Sequence, residues 1–449
     1  MPHDFAENPS NDARELAHAR PFARQGSRDM EISERNGSAT IQGQTASGNT
    51  SSAASCDPRR SALDVARGIV LFVAFGTTTS SWDRAVDALP ASQGRHIIGE
   101  QTTHAEWNGF HLLDWGFPAF MIMLAASMTL SRERHRARGQ STWRFVARVV
   151  TRGILLWVFA FFFYGGFSVP LTEIRFSRVF FLLSACIVLT GLSLALLKLR
   201  GQLLAFFLFL FANWAFMALF PVPGYASGDF SAAGNALSYV EDRLVDATGG
   251  AVWQSAGLRH LHRDLVLLFG LAVMSYGTCL VGLLEGQILV SKQSLQAQVL
   301  TLAIGGIIAT TLALVWDIWF PINKHLWNGS FTLLTGGLSF VVFAGIIQVI
   351  EVWGFQRLGY PFQVFGRYSL AAWTCYFLLP WDNFAQRLFG PSFPPVFGVY
   401  RPLVINITQV ALCWLLFVWF DNRRTKMQLL IQRGAQRDEW PKRHPSEAT

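Results

Sequence analysis

Charged residues are scarce in this chain. Asp, Glu, Lys and Arg make up 15% of its 449 residues, against about 25% in soluble globular domains. Cysteine is scarce as well, and the five cysteines form no CxxC pair, zinc-ligand spacing or disulfide framework. The two shortages argue against a soluble enzyme, and they lead us to expect no metal site.

Hydrophobic residues, in contrast, reach 51% of the chain and recur in long runs. From residue 61 onward, polar breaks separate ten apolar segments of about 20 residues, the length that crosses a bilayer. Their predicted extents are 62–80, 107–131, 145–166, 177–197, 201–221, 264–286, 297–317, 329–350, 362–380 and 402–420. Because hydrocarbon offers backbone polar groups no partner, each segment is expected to be a helix. The predicted fold class is all-α, a polytopic membrane bundle of about ten transmembrane helices in the lipid bilayer.

The two ends of the chain differ from its middle. Residues 1–58 are rich in Ser, Asn, Gly and Arg and contain no apolar stretch, so we predict a disordered tail without a cleavable signal peptide. Residues 59–421 are the expected transmembrane domain. Residues 422–449 are predicted to form a basic tail.

The distribution of Lys and Arg predicts the orientation. With the N-terminus inside, 23 of the 37 lie on the inner side, 10 lie in outer loops and the other 4 lie within spans. Since inner loops of membrane proteins are enriched in Lys and Arg, both termini are predicted to be cytoplasmic, in a plasma or inner membrane. The long loops 81–106 and 222–263 then face outward. The net charge of +8 reports this orientation, and nucleic acid is not an expected partner.

Several ionisable residues fall inside or near the predicted spans. Asp64 and Arg67 share a helix face at the inner start of the first span, where they form either a simple ion pair or the mouth of a site. Arg148 and Arg152 either extend to the membrane interface or meet a phosphate. Arg367 has only apolar and aromatic neighbours, and its partner cannot be named from the sequence.

The second span carries the most polar pattern. His104, Trp107, His111, Asp114 and Pro118 are spaced 3, 4, 3 and 4 apart, so on a helix they would form one stripe that faces the bundle interior. A purely structural stripe is the alternative. On such a helix Asp114 lies about 15 Å from His104, so its expected partner is His111 unless the helix begins later, in which case Asp114 could orient His104 directly.

His104 lies where an outer loop enters this span. Histidine accepts and returns protons near neutral pH, which makes His104 a candidate general base or acyl-accepting nucleophile. In another outer loop, Lys324 is the one Lys or Arg and is flanked by Asn323 and Trp327. A cation and an amide donor are suited to stabilise the oxyanion of an acyl-transfer intermediate.

Four segments together resemble the heparan-alpha-glucosaminide N-acetyltransferase family of multi-span acyltransferases. They are LDVARGIVL (63–71), HAEWNGFHLLDWGFPAF (104–120), FPVPGYASGDFSAAGNALSYVEDR (220–243) and FPINKHLWNGSFTLLTGG (320–337). The resemblance extends over about residues 60–380. It implies transfer of an acetyl group from cytosolic acetyl-CoA to a sugar amine or hydroxyl across the membrane. It also implies that the histidine of HAxWNG, His104, is catalytic; a homodimer stays open.

The residue assignments follow from the motifs and the resemblance together. The candidate catalytic residues are His104, Asn108, Asp114 and Lys324. The candidate substrate-binding residues are Trp107, His111, Asn235, Asp242, Asn323 and Trp327. The candidate cofactor-binding residues, which would meet acetyl-CoA, are Arg67, Arg148 and Arg152. The arginines of 132–138 either meet the same phosphates or only set the orientation.

The sequence departs from the family pattern at four places. Thr78 lies near the position of an asparagine, His111 replaces a small polar residue, and Tyr368 replaces the asparagine of a GxNS string. RHLHRDLVLLFG (259–270) also differs from the expected string. These departures leave the reaction class but open the identity of the acceptor and of the acyl group. A transporter or flippase, and an inactive binding member of the same fold, remain alternatives.

Overall fold

The structure of the chain is a computed structural model that describes residues 58–78, 86, 91–250, 255–389, 398 and 400–443. The tail predicted for residues 1–58 lies, apart from Pro58, outside the described residues. The N-terminal helices are α1 (Pro58–Thr78), α2 (Gln93–Gln101), α3 (Leu112–Ala137), α4 (Thr142–Phe163), α5 (Val179–Leu196), α6 (Leu199–Leu219) and α7 (Ala236–Thr248). The remainder are α8 (Ala256–Met274), α9 (Tyr276–Val290), α10 (Leu295–Trp316), α11 (Gly329–Ile347), α12 (Gln356–Arg367), α13 (Ser369–Leu378), α14 (Trp381–Leu388) and α15 (Arg401–Arg443).

The described residues contain no strand, which confirms an all-helical fold. Eight helical stretches of this part are long and apolar enough to cross a membrane: Leu112–Ala137, Thr142–Ser168, Val179–Leu196, Leu199–Leu219, Gly257–Val290, Leu295–Trp316, Gly329–Val352 and Leu403–Gln428. Large apolar side chains cover the outer faces of several of them, as Phe207 and Phe211 of α6 and Ile307 and Leu312 of α10 show. Such faces suit contact with lipid.

Polar caps begin many of these helices. The side chains of Ser92, Ser141, Asn235, Ser255, Ser294 and Asn328 each accept a hydrogen bond from a backbone N–H of the first turn. These bonds satisfy donors that would otherwise lack a partner at a helix start.

The ninth predicted span, 362–380, is wrong as a single helix. The chain leaves the helical conformation at Tyr368, so α12 ends at Arg367 and α13 has only ten residues. The break follows Gly366, which packs so closely on α1 that a Cβ would overlap the carbonyl oxygen of Asp64. The first predicted span, 62–80, coincides with α1 as far as Thr78 and then leaves the described residues.

The last helix continues across the predicted boundary at 421/422. Helix α15 extends from Arg401 to Arg443, which includes most of the predicted tail. Asp421 on this helix accepts two hydrogen bonds of 2.7 Å from Arg367 and one of 3.0 Å from Tyr368. The partner of Arg367 is therefore a carboxylate from the far end of the chain.

Helix α3 is central because it contributes to two apolar clusters. Met121 and Ile122 pack in a cluster with α5 and α9, while Ala119 and Met123 pack in a cluster with α1 and α11. Helix α9 approaches α3 closely because Gly282 and Gly286 face it without side chains, in the small-xxx-small spacing common between membrane helices. Two polar sites lie at the opposite ends of α3.

Candidate active site

The entry to α3 is not helical as predicted. Helix α3 begins at Leu112 with His111 as its N-cap, and residues 103–110 form an irregular loop. Gly109 takes a φ of 108° within this loop, and its N–H donates to the carbonyl oxygen of Ile322 at 2.8 Å. The single helical stripe through His104, Trp107 and Asp114 is therefore wrong, because the loop reverses direction before the helix starts.

The reversal brings His104 onto Asp114. His104 Nδ1 lies 2.7 Å from Asp114 Oδ1, and Lys324 Nζ donates to the same oxygen at 2.8 Å. The predicted pairing of the Asp114 carboxylate with the His111 imidazole is wrong, since Asp114 Oδ2 accepts instead from the backbone N–H groups of His111 and Ala105, at 3.1 and 3.2 Å. We call His104, Asp114 and Lys324 the His–Asp–Lys cluster.

Burial differs sharply across the His–Asp–Lys cluster. The Asp114 side chain is 0% exposed, that of Lys324 is 23% exposed and that of His104 is 56% exposed. Burial lowers the pKa of the Lys324 ammonium below its ordinary value, although the hydrogen bond to Asp114 and the charge of that carboxylate both oppose the shift. The buried acid is thus fixed by four donors, and the imidazole is the member that meets solvent.

The position of His104 between a carboxylate and an ammonium constrains its protons. Nδ1 also lies 2.8 Å from Lys324 Nζ, but one nitrogen cannot donate to Asp114 and accept from Lys324 at the same time. When Nδ1–H donates to Asp114, Nε2 carries the lone pair and can accept a proton from a bound molecule. In this tautomer Lys324 still donates to Asp114 Oδ1, and its Nζ also lies 3.4 Å from His104 Nε2.

The loop that holds Lys324 is built on two buried asparagines. Asn323 Nδ2 donates to Asn108 Oδ1 at 3.0 Å, which ties this loop to the loop of His104. Asn328 caps α11, and its Nδ2 donates to the carbonyl oxygen of Pro321 at 2.6 Å. Trp327 takes a φ of 46° in this tight turn. The turn fixes Lys324 on a rigid support.

The structure separates the candidate substrate-binding residues into different surroundings. Trp107 stacks on His325, with ring centroids 5.2 Å apart, and its indole N–H donates to the carbonyl oxygen of Phe230. Trp327 is buried and donates to Thr278 Oγ1 at 2.9 Å. The His111 imidazole lies 3.2 Å from the carbonyl oxygen of Thr103. These side chains brace the loops around the His–Asp–Lys cluster.

Two further candidates lie in the segment before α8. Asn235 is fully buried, caps α7 through Ser238 N at 2.8 Å and donates to two carbonyl oxygens behind it. Asp242 forms an exposed ion pair of 2.8 Å with Arg263. Neither belongs to the contacts that make up the His–Asp–Lys cluster.

A groove of about 520 Å³ lies beside α2, close to His104 in the chain. It is lined by Val86, Ala91, Ser92, Arg95, His96, Gly99, Glu100 and Thr103. Five of these residues have hydrogen-bonding side chains, and Val86, Ala91 and Gly99 supply small apolar surface. This mixed lining suits a polar ligand with hydroxyl or amino groups.

The other end of α3 holds an arginine-rich cavity of about 380 Å³. Its lining, which we call the arginine pocket, is Leu63, Asp64, Arg67, Ser127, Leu130, Ser131, Arg134, His135, Arg138, Arg148, Arg152 and Arg367. All three candidate cofactor-binding residues lie in it. Six guanidinium groups against one lining carboxylate make a strongly cationic cavity, as multiply charged phosphates require.

Contacts within the arginine pocket fix some of its cations. Arg67 forms an ion pair of 3.1 Å with Asp64 and donates to Ser127 Oγ at 3.0 Å. Arg148 Nη1 lies 3.1 Å from His135 Nδ1. Within the described ranges, no ion pair joins Arg134, Arg138, Arg148 or Arg152 to a carboxylate, so their charge is available to an anion.

A narrow cavity lies between the two sites, in the seam where α1 meets α3. Its volume is about 20 Å³, and it is lined by Ala66, Ile69, Val70, Trp115, Ala119, Met123, Glu285, Ser339, Val342, Phe343 and Ile346. Trp115 follows Asp114 directly, while Ser127 at the other side of the seam lines the arginine pocket. The part of α3 that lines the narrow cavity therefore extends from the residue after Asp114 toward the arginine pocket.

Sequence reasoning missed two parts of this arrangement. Glu285, a carboxyl group in the apolar run CLVGLLEGQILV, is fully buried and lines the narrow cavity. An ionisable residue within an apolar segment is itself a signal of function. The arginine pocket was foreseen only in pieces, because its members come from α1, α3, α4 and α12.

A scan against models of protein families finds no match for this chain, and a search of curated proteins finds none either.

Proposed function

We propose that the protein is a membrane acyltransferase that moves an acetyl group from acetyl-CoA, bound at the arginine pocket, to a sugar amine or hydroxyl at the His–Asp–Lys cluster. The carrying observation is that these two sites lie at opposite ends of α3. Asp114 and Arg134 are twenty residues apart, about 30 Å along a helix. This is also the thickness of the hydrocarbon core of a bilayer.

The chemistry of the His–Asp–Lys cluster supports acyl transfer. With Nδ1–H donating to Asp114, Nε2 of His104 accepts the proton of the acceptor group while its oxygen or nitrogen forms a bond to the thioester carbonyl carbon. The C–S bond then breaks, and the proton passes to the sulfur of the leaving thiolate. In a covalent variant, Nε2 bonds to the carbonyl carbon as the C–S bond breaks and the thiolate leaves; the acceptor then displaces Nε2 from that carbon, and its proton passes to the thiolate.

Lys324 suits the charge that develops in this reaction. Its ammonium lies 2.8 Å from both Asp114 Oδ1 and His104 Nδ1. A thioester carbonyl bound at the imidazole would therefore lie close to this cation. A preorganised cation stabilises an oxyanion strongly in a poorly solvated site. The groove beside α2 is the proposed location of the sugar.

The proposed orientation places the arginine pocket in the cytoplasm. The Arg-rich end of α3 and the start of α4 supply a large part of the inner-side charge counted above. Both termini are then cytoplasmic in a bundle of about ten spans, with α1 and the α12–α13 pair added to the eight apolar stretches. Cytosolic acetyl-CoA would meet its site directly.

The test is mass spectrometry of cell-envelope glycans from cells with the protein, without it, and with His104→Ala. We expect acetylated sugars that depend on the protein and fall by about 10²–10⁴-fold in the variant, the range that general base catalysis contributes. His260→Ala is the matched control, because His260 is an exposed histidine of α8 that lines neither the groove beside α2 nor the arginine pocket. A folded His104→Ala protein that acetylates at the normal rate would refute the assignment.

A transporter or flippase is the second candidate, and the break between α12 and α13 favours it. Interrupted helices form the binding sites of many transporters. Vesicles loaded with purified protein separate the two functions. Labelled acetyl groups found on the sugar identify a transferase, whereas unmodified sugar accumulating inside the vesicle identifies a transporter. Binding of acetyl-CoA with neither outcome identifies an inactive member of the fold.

A further inference from the structure

Glu285 is a buried acid without an evident structural use. Its side chain has no exposed surface, and neither carboxyl oxygen has a hydrogen-bond partner in the described part of the chain. Burying a polar group without a partner costs about 1–3 kcal/mol in proteins, and an ionised carboxylate costs more. The group is held there by α9, where Gly282 and Gly286 fix the helix against α3.

The location of Glu285 is as informative as its isolation. It lines the narrow cavity of the α1–α3 seam together with Ala119 and Met123 of α3. Gly282 and Gly286, on either side of it along α9, face Ala125 and Ala126 of α3. The acid therefore stands between the two proposed sites.

The other polar groups of the narrow cavity are already paired. Trp115 Nε1 donates to Ser339 Oγ at 3.0 Å, and Ser339 Oγ donates to the carbonyl oxygen of Thr335 at 2.7 Å. The rest of the lining is apolar, with Ile69 and Phe343 among it. A molecule in the seam would therefore find a narrow, uncharged wall and one acid that can both donate and accept.

We infer that Glu285 binds the amide-bearing arm of the acyl donor, so that the seam is a subsite for the pantetheine part of coenzyme A. The inference rests on the proposed function. The pantetheine arm is a linear, uncharged chain with two amides, and a protonated carboxyl group pairs with an amide through two complementary hydrogen bonds. The donor's phosphates occupy the arginine pocket, the arm passes Glu285, and the thioester reaches His104.

The volume of the narrow cavity adds a requirement. About 20 Å³ holds no more than a single water molecule, so the seam must widen when the arm enters. Apolar side chains of α1 and α11 line it, and movement of α1 away from α3 releases the hydrogen bond from Arg67 to Ser127 Oγ. Binding of the arm therefore includes a separation of α1 from α3.

The test compares two ligands on purified protein in nanodiscs. Coenzyme A carries the arm, whereas adenosine 3′,5′-bisphosphate carries the phosphates without it. We expect Glu285→Leu to weaken coenzyme A binding about tenfold, equivalent to about 1.4 kcal/mol, and to leave bisphosphate binding unchanged. Glu285→Gln should retain most of the affinity, because an amide also donates and accepts.

Gln287→Leu is the matched control. Gln287 lies on the same helix, donates to Gln202 rather than into the seam, and is absent from the lining of the narrow cavity. Retained bisphosphate binding shows that each variant is folded. Equal coenzyme A affinity in the wild type and Glu285→Leu would overturn the inference and leave the proposed function intact. A wild-type protein that binds neither ligand would overturn both.

Discussion

Replacement of Asp114 by Asn is the sharpest test of the His–Asp–Lys cluster. The substitution keeps the shape of the side chain but removes the charge that Lys324 meets at 2.8 Å, and it places either an amide oxygen or an NH₂ group against His104 Nδ1. Two effects follow, one on the reaction and one on stability.

The effect on the reaction comes from the tautomer of His104. With an NH₂ group facing Nδ1, that nitrogen must accept, and the proton moves to Nε2, which can then no longer act as a base. Loss of the correct tautomer in a carboxylate–histidine pair costs on the order of 10⁴ in turnover. We expect acetyl transfer to fall by about 10³–10⁴-fold, whereas acetyl-CoA binding at the arginine pocket stays unchanged.

The effect on stability comes from Lys324. Its mostly buried ammonium would lose its carboxylate, a loss of several kcal/mol for fully buried pairs and about 1–2 kcal/mol once the partial exposure of this lysine is allowed for. The measurement is thermal unfolding in detergent, alongside transfer of labelled acetyl groups. Asp242→Asn is the control, because its exposed ion pair with Arg263 contributes less than about 1 kcal/mol. Full activity in a stable Asp114→Asn protein would refute the reasoning.

Three more predictions follow from other parts of the molecule. Gly366→Ala should prevent the protein from eluting as a monodisperse species in size-exclusion chromatography, because its Cβ would overlap the carbonyl oxygen of Asp64. Gly345→Ala, with open space around it, should elute normally. Normal elution of Gly366→Ala would contradict the close contact. Burial raises the pKa of Glu241 to about 7 from an ordinary 4.5, so its contribution to stability is present below pH 4.5 and is lost as the pH rises through 7. Glu241→Gln should therefore increase the free energy of unfolding more at pH 8 than at pH 5, by on the order of 1 kcal/mol after solvent screening, and an equal effect at the two pH values in thermal unfolding would oppose this. Arg152→Gln should weaken binding of adenosine 3′,5′-bisphosphate about tenfold and make it less sensitive to salt, and isothermal titration at two salt concentrations measures both; unchanged affinity would remove this arginine from the anion site.

Apolar length predicted most of the helices well. Segments such as 177–197 and 329–350 are long and uninterrupted, and the structure has Val179–Leu196 and Gly329–Val352 there. The break at Tyr368 was not predictable, because it depends on contact between Gly366 and a distant helix. Hydropathy records the composition of a segment and carries no information about its neighbours.

The candidate site was predicted in its members but not in its geometry. Spacing on an ideal helix puts Asp114 too far from His104, whereas the helix begins at Leu112 and the preceding loop folds back. Asp114 lies three residues after the N-cap His111 and accepts its backbone N–H. An acidic residue at this position is a local sequence signal that could have located the helix start. The contact with Lys324 spans 210 residues and required the tertiary fold.

The close pairing of α1 with α12 determines how the protein can open. A Cβ at Gly68 would overlap the carbonyl oxygen of Phe362, as one at Gly366 would overlap that of Asp64, and Arg67 Nη1 donates to the carbonyl oxygen of Gly366 at 3.1 Å. Because their backbones are in close contact at two levels, α1 and α12 cannot slide past each other or separate. The two helices therefore tilt together as one rigid unit. The first bond that such tilting must release is the hydrogen bond from Arg67 to Ser127 Oγ on α3, so one arginine both lines the arginine pocket and holds α1 against α3.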